Sequence, residues 1–335
     1  MRPNQASPAP ASRETPGPEA ASQSPPASPH RSLLGPVPAP VLILTAIISV
    51  QVGAGLAARL FSQVAPGAVT GLRLWSAALV LAVVGGRGLG RAVRAVVRRR
   101  AWRDAAVVAG FGVTLAVMNY SIYQSFARIP LGVSVTIEFL GPLGVAVASS
   151  RRVLDLLWVA LAAGGVVLLA GTGQATAVAE LAGAGHGGAV AGLVFALVAA
   201  AAWAVYILLS RATGRRFPGT SGLTIAMVIA AVAVTPTGVA AGGAVLLRPA
   251  VVLTGIAIGL LSSIVPYSLE LETLRRLPAR VFGIWMSAEP VTAALVGLVM
   301  LGQALSPRQW LAVASVSVAC AGAARGAPQS AEPQA

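Results

Sequence analysis

Few residues of this chain could do chemistry, and those that could are set inside apolar stretches. Glu138, Glu289 and Arg73 each lie deep within such a run, with Asn119 and Gln51 as neutral polar company. A charge near the centre of a membrane helix costs roughly 2.5–3.5 kcal/mol on insertion scales, so intramembrane charges pair with one another or serve a site. Pairing of Arg73 with Glu138 would make them structural glue. A carboxylate open to protons or to a cationic group would make them a transport site. The prolines weigh toward the second. Pro142 has no N–H to offer the carbonyl of Glu138, and Pro290 leaves that of Met286 unpartnered in the same way. Matched Pro-interrupted spans in two halves of a chain point to a transporter's binding site.

Other motifs carry less. The run Gly183-Ala-Gly185-His-Gly187-Gly188 matches G-x-G-x-x-G, and Gly53-Ala-Gly55-Leu-Ala-Ala58 matches its Ala-ended form. A dinucleotide site needs a strand before, a helix after and an acidic residue about 20 positions on. Neither run has that acidic residue, so the first reads as a linker and the second as close helix packing. Without lysine there is no P-loop, and the two histidines, His30 and His186, lie outside the apolar stretches. The lone Cys320 reads as a packing residue. The residues call for no catalytic group, no metal and no cofactor.

Glu270 and Glu272 fall toward the cytoplasmic end of an apolar stretch, where Glu272 precedes Arg276 by one helical turn. Asp155 begins another stretch beside Arg151 and Arg152. All three read as solvated helix ends.

These residues must be positioned by membrane helices. Hydrophobic residues make up 56% of the chain and charged ones 10%, with a mean hydropathy of +0.80, which excludes an ordinary soluble domain. A bilayer-spanning helix takes ~20 apolar residues. Spans are expected near 41–60, 66–86, 104–125, 130–149, 153–171, 188–210, 220–246, 251–273, 279–301 and 307–324. The chain holds 24 arginines and no lysine, for a net charge of +14. Seven arginines between Arg87 and Arg103 follow the second span. Arg151 and Arg152 follow the fourth, Arg211, Arg215 and Arg216 the sixth, and Arg275, Arg276 and Arg280 the eighth. Intervening connections carry almost none. By the positive-inside rule both termini are cytoplasmic. Arginines placed beside spans meet lipid headgroups, so nucleic acid is not the expected partner.

The chain also repeats itself. Tyr120-Ser121, Arg128-Ile129-Pro130 and Gly141-Pro142 are echoed by Tyr267-Ser268, Arg276-Leu277-Pro278 and Glu289-Pro290. The two proline pairs share one spacing. Pro66-Gly67 with Gly71-Leu72 returns as Pro218-Gly219 with Gly222-Leu223. Five helices are thus followed by five, and an odd number inserts the second copy upside down. The fold class is all-α integral membrane, ten transmembrane helices in a 5+5 inverted-topology repeat. Residues 39–172 form the first half and 187–325 the second. The Pro/Ala/Ser-rich segment 1–38 and the segment 326–335 read as disordered cytoplasmic tails, too poor in large apolar groups to fold.

The run Ile129–Leu143, with Glu138 and Pro142, resembles the fourth-helix signature of EamA-type permeases of the drug/metabolite transporter superfamily, in particular the threonine/homoserine exporter branch. Val281-Phe282-Gly283-Ile284, Met286-Ser287, Glu289-Pro290 and Leu301-Gly302 are similar to its ninth-helix signature, and Leu72-Arg73-Leu74 to its second span. Where that family usually has Glu, this chain has Gln303. The resemblance implies a multi-pass inner-membrane exporter of small amino acids or related metabolites, working in a lipid bilayer with no enzyme activity. Proton coupling is expected, and a homodimer stays open. The site expected to bind substrate or couple is Glu138, Pro142, Glu289, Pro290, Arg73 and Asn119. A permease for another metabolite or drug, a membrane scaffold and a lipid-modifying enzyme are the alternatives. The arginine pattern makes one direct prediction: a reporter fused after Arg100 or Arg216 reads as cytoplasmic, and one inserted near Gly185 as external. The opposite result at two of these three positions would sink the ten-helix topology.

Overall fold

The computed structural model describes residues 37–98, 101–149, 154–170, 185–217 and 220–326, and the expected tails lie almost wholly outside them. In hydrocarbon every backbone polar group needs an internal partner, and helices supply one. The described residues are accordingly helical almost throughout. Among the described residues eight segments are long and apolar enough to cross a membrane. They fall on the first four expected spans and on the sixth to ninth. The fifth appears as a shorter apolar stretch, Asp155–Leu169. The tenth is helical over Pro307–Gly326 but is not one of the eight, being rich in Ala, Ser and Gly and carrying Arg308, Gln309 and Arg325.

The elements are α1 (Ala39–Leu60), α2 (Pro66–Arg98), α3 (Trp102–Phe126), α4 (Leu131–Glu138), α5 (Leu140–Ala148) and α6 (Leu154–Ala170). Then follow α7 (Gly185–Gly214), α8 (Ser221–Gly242), α9 (Pro249–Gly259), α10 (Val265–Leu274), α11 (Ala279–Met286), α12 (Glu289–Leu301) and α13 (Pro307–Gly326). Two expectations need correction. α2 continues as helix to Arg98, well beyond the apolar part that ends at Val83, so much of that arginine-rich connection is helical. α7 begins at Gly185, inside the glycine run taken for a linker.

The fourth, eighth and ninth expected spans are each interrupted near a proline. The fourth breaks at Phe139, between α4 and α5, and the ninth at Ser287 and Ala288, between α11 and α12. Their backbones agree closely. Pro130 before α4 has φ −53° and ψ 141°, and Pro278 before α11 has φ −55° and ψ 141°. At the breaks Phe139 has φ −66° and ψ −11°, and Ser287 has φ −65° and ψ −10°. The eighth span carries a π turn at Leu260–Ile264, just ahead of Pro266. Packing crosses the chain: α3 lies on α7, α1 on α9 and α10, α2 on α8, α4 on α12, and α6 on α13. Outward positions such as Val83 and Val299, at 81% and 80% exposure, suit contact with lipid.

Close approach is set by small residues. A Cβ on Gly53 would come within 2.2 Å of Ser262 Oγ, and one on Gly55 within 3.0 Å of Met300 Sδ, so the second glycine motif is indeed helix packing. At Gly141 a Cβ would lie 2.2 Å from the backbone oxygen of Ala200, whereas Gly144 on the same helix meets nothing within 4 Å. Backbone cannot yield as a side-chain tip can. Gly141→Ala should therefore lower stability in detergent by about 1–3 kcal/mol, the range for overpacking, while Gly144→Ala stays near wild type. Equal melting temperatures for the two variants would contradict this packing.

Candidate functional site

The interruptions meet at one cavity of about 440 Å³. Glu138, Phe139 and Pro142 line it from the fourth span, and Met286 and Glu289 from the ninth. α1 adds Gln51, α2 adds Arg73, α3 adds Asn119, α7 adds Trp203 and Tyr206, and the eighth span adds Ser262, Tyr267 and Glu270. Of the expected site residues all but Pro290 line it; Pro290 is buried one residue beyond Glu289.

The polar groups divide into three arrangements. Glu289 is 7% exposed and accepts a hydrogen bond from Gln51 Nε2 at 2.9 Å, while its Oε2 has no partner. Asn119 is turned back on its own helix, its Nδ2 donating to the carbonyl of Leu115 at 2.8 Å. Arg73 belongs to the π turn. Pro266 cannot donate to the carbonyl of Ser262, and Arg73 Nη2 donates to that oxygen instead, at 3.1 Å. The neighbouring carbonyl of Leu261 accepts from Ser49 Oγ at 2.8 Å. The Arg73 guanidinium also sits over the Tyr123 ring, 5.4 Å from its centroid. A pairing of Arg73 with Glu138 is not found: among the described residues no ion pair within 4.0 Å joins them.

Known proteins narrow what such a cavity serves. The profile of the EamA-like transporter family matches residues 190–324. The threonine/homoserine exporter RhtA of Escherichia coli is 38% identical over 288 residues, covering 84% of this chain and 90% of that protein. Its counterpart in Salmonella typhimurium is 37% identical over 294 residues, covering 86% and 92%. The chain belongs to the EamA-type permeases. A crystal structure 21% identical to it, with a TM-score of 0.55, covers 85% of this chain and 96% of the other, and shares the fold. This permease is thus a multi-pass membrane transporter, near the RhtA branch of its family.

Three expectations about charged residues of the permease change. Glu270, expected on a solvated end, lines the cavity. Asp155, expected beside solvent, is 4% exposed at the start of α6. Glu272 does pair with Arg276, Nε to Oε1 at 2.9 Å, although its side chain is only 14% exposed. Tyr206, Tyr267 and Ser262 were not anticipated as site residues. The run Ser262-Ser263-Ile264-Val265-Pro266 was the available signal, a proline within a span preceded by two hydroxyls.

Gln303 also gains a place. Gly302 ends α12 in the left-handed region, φ 69°, and the next amide returns to Gly297 O at 3.0 Å. That turn brings Gln303 Oε1 to 2.9 Å from the N–H of Leu131, an otherwise uncapped amide in the first turn of α4.

The Gln51–Glu289 bond is buried, and losing one partner strands the other, at a cost of about 1–3 kcal/mol. Gln51→Leu and Glu289→Leu should each lower the melting temperature. The double variant should lose less than the summed singles, with a coupling of about 0.5–3 kcal/mol. Strict additivity would mean that the bond does not form.

Proposed function

We propose that this permease is a secondary transporter of the inner membrane, exporting small amino acids of the threonine and homoserine type in exchange for protons. The observation that carries this reading is the cavity itself. Two Pro-interrupted spans, one from each half of the chain, meet there and bring carboxylates to one space. A small amino acid is a compact zwitterion, and the cavity offers it groups of both signs together with apolar walls from Phe126, Phe139 and Trp203. The relatives named threonine/homoserine exporters give the substrate class.

The proposed architecture is ten spans in an inverted 5+5 repeat with both termini cytoplasmic. Exchanging each span for the one five places on carries the packing of α3 on α7 into that of α1 on α9 and α10. It maps the pairs α2 with α8 and α6 with α13 onto themselves. The breaks at Phe139 and Ser287 coincide under the same exchange. Two such halves can rock about the site between them, which is alternating access.

Proton coupling rests on charge balance. Among the described residues Glu138, Glu270 and Glu289 share the cavity with a single arginine, and none of the three forms an ion pair. Uncompensated carboxylates are costly away from water, and protons or a substrate ammonium relieve them. Glu138→Gln and Glu289→Gln should each slow pH-driven efflux of labelled threonine from proteoliposomes roughly tenfold or more, equivalent to at least about 1.4 kcal/mol. Glu272→Gln, outside the cavity, should leave the rate close to wild type at equal protein amount. Loss of pH-driven transport with retained threonine exchange would place a carboxylate in the coupling step. Wild-type rates in both Gln variants would remove these residues from the mechanism.

A further inference from the structure

A second assignment rests on the reading of the substrate as a small amino acid and concerns which group holds which end of it. Arg73 is the one cation among the described residues that line the cavity, and its use of donors is incomplete. Of its several N–H groups, Nη2 is taken by Ser262 O at 3.1 Å, whereas Nε is buried with no partner. No carboxylate lies within 4.0 Å of it among the described residues, although Glu138, Glu270 and Glu289 line the same space. A purely structural arginine at this depth would be expected to close on one of those acids, because an unpaired buried charge is costly. Here the guanidinium is instead held off them. The free carbonyl that Pro266 creates anchors one nitrogen, and the Tyr123 ring, 5.4 Å away, lies against its face. A planar fork fixed in this way, with a donor edge unspent, suits a carboxylate brought in from outside.

We propose that Arg73 is the receptor for the α-carboxylate of the transported amino acid, leaving the cavity's acids for its ammonium group. Recognition then demands an amino acid as a whole. An amine of the same size and side chain lacks the anion that the guanidinium requires, and its entry would leave that cation unpaired.

The test uses the full-length protein in proteoliposomes loaded with labelled threonine, with threonine and threoninol as competitors. Threoninol keeps the ammonium and the side chain but replaces the carboxylate with a hydroxymethyl group. Against the wild type, threoninol should compete at least about 30-fold more weakly than threonine, the scale of losing one partner of a buried charge pair. In Arg73→Gln, threonine should weaken by a similar factor while threoninol changes little, so that the preference collapses toward unity. A merely structural role would depress both competitors together and keep their ratio. Equal competition by threonine and threoninol against the wild type would overturn the assignment without need of any variant, as would a full threonine preference retained in Arg73→Gln. A wild-type protein that transports no amino acid at all would instead overturn the substrate class proposed above.

Discussion

In a bilayer no water is at hand to satisfy a backbone carbonyl, and the site of this permease follows from how its chain meets that constraint where proline breaks a helix. Pro142, Pro266 and Pro290 each withhold an N–H from the carbonyl four residues earlier, on Glu138, Ser262 and Met286. At Ser262 the remedy is visible in full. The span loosens into a π turn, Arg73 donates to the freed oxygen, and Ser49 donates to its neighbour at Leu261. Two helices distant in sequence are thereby fixed to a third at mid-span. At Phe139 and Ser287 the chain pauses between two short helices instead, and the residues around each pause line the cavity. Irregular backbone is tolerated at membrane depth where it borders protein or a polar space. The breaks at Phe139, Ser262 and Ser287 each border the cavity, and each has a proline within four residues.

How much of this was legible in the sequence follows from the same physics. Span positions came from apolar length, and the paired breaks from proline spacing, because both are properties of the local chain. Glu138 and Glu289 stood out because a charge inside an apolar run has no bland alternative except a partner. Glu270 was misjudged for the opposite reason. It lies only four residues before the end of α10 at Leu274, where depth alone suits a solvated group, and its facing decides the matter. A span apolar on every side gives no phase from which to read that facing, since lipid and protein interior are alike to it. Asp155 is hidden for the same reason: at a helix start beside Arg151 and Arg152 its position suits a solvated group, yet it is buried. The cap that Gln303 gives to Leu131 was beyond reach. It joins residues 172 apart, and only the left-handed turn at Gly302 brings them together.

The same turn gives the departure at position 303 a physical meaning. An N–H in the first turn of α4 needs an acceptor, and Pro130 ahead of it offers no side chain to cap it. A neutral amide oxygen meets the need as a carboxylate would, without bringing a charge to that end of the helix. Gly297 completes the arrangement, since a Cβ there would stand 2.9 Å from Gln303 Oε1. The hydrogen-bonding role thus survives the loss of charge, so Gln303 need not be counted with the groups that exchange protons.

Two contacts at the ends of the spans opposite the arginine-rich connections then take on a shared meaning under alternating access. Arg59 on α1 donates to the carbonyl of Met300 on α12, from Nε at 2.9 Å and from Nη2 at 2.6 Å, and Gln303 holds the start of α4. Both bonds join one half of the chain to the other, and both engage the last turn of the ninth span. Most of the cavity lining lies on the other side of these bonds, as at Ala146, Tyr206, Glu270 and Ala324. A cycle that opened the cavity toward Gln303 would have to release the C-terminal end of α12, exposing the Leu131 amide and the Met300 carbonyl together. Water at that surface can satisfy both groups once they part, at little net cost per bond. The Gln51–Glu289 bond, at the opposite end of α12, has no such substitute. In the proposed cycle the helix would be held loosely at its Gly302 end and firmly where it meets the cavity, and that difference would let the end part from its neighbours while the site stays assembled.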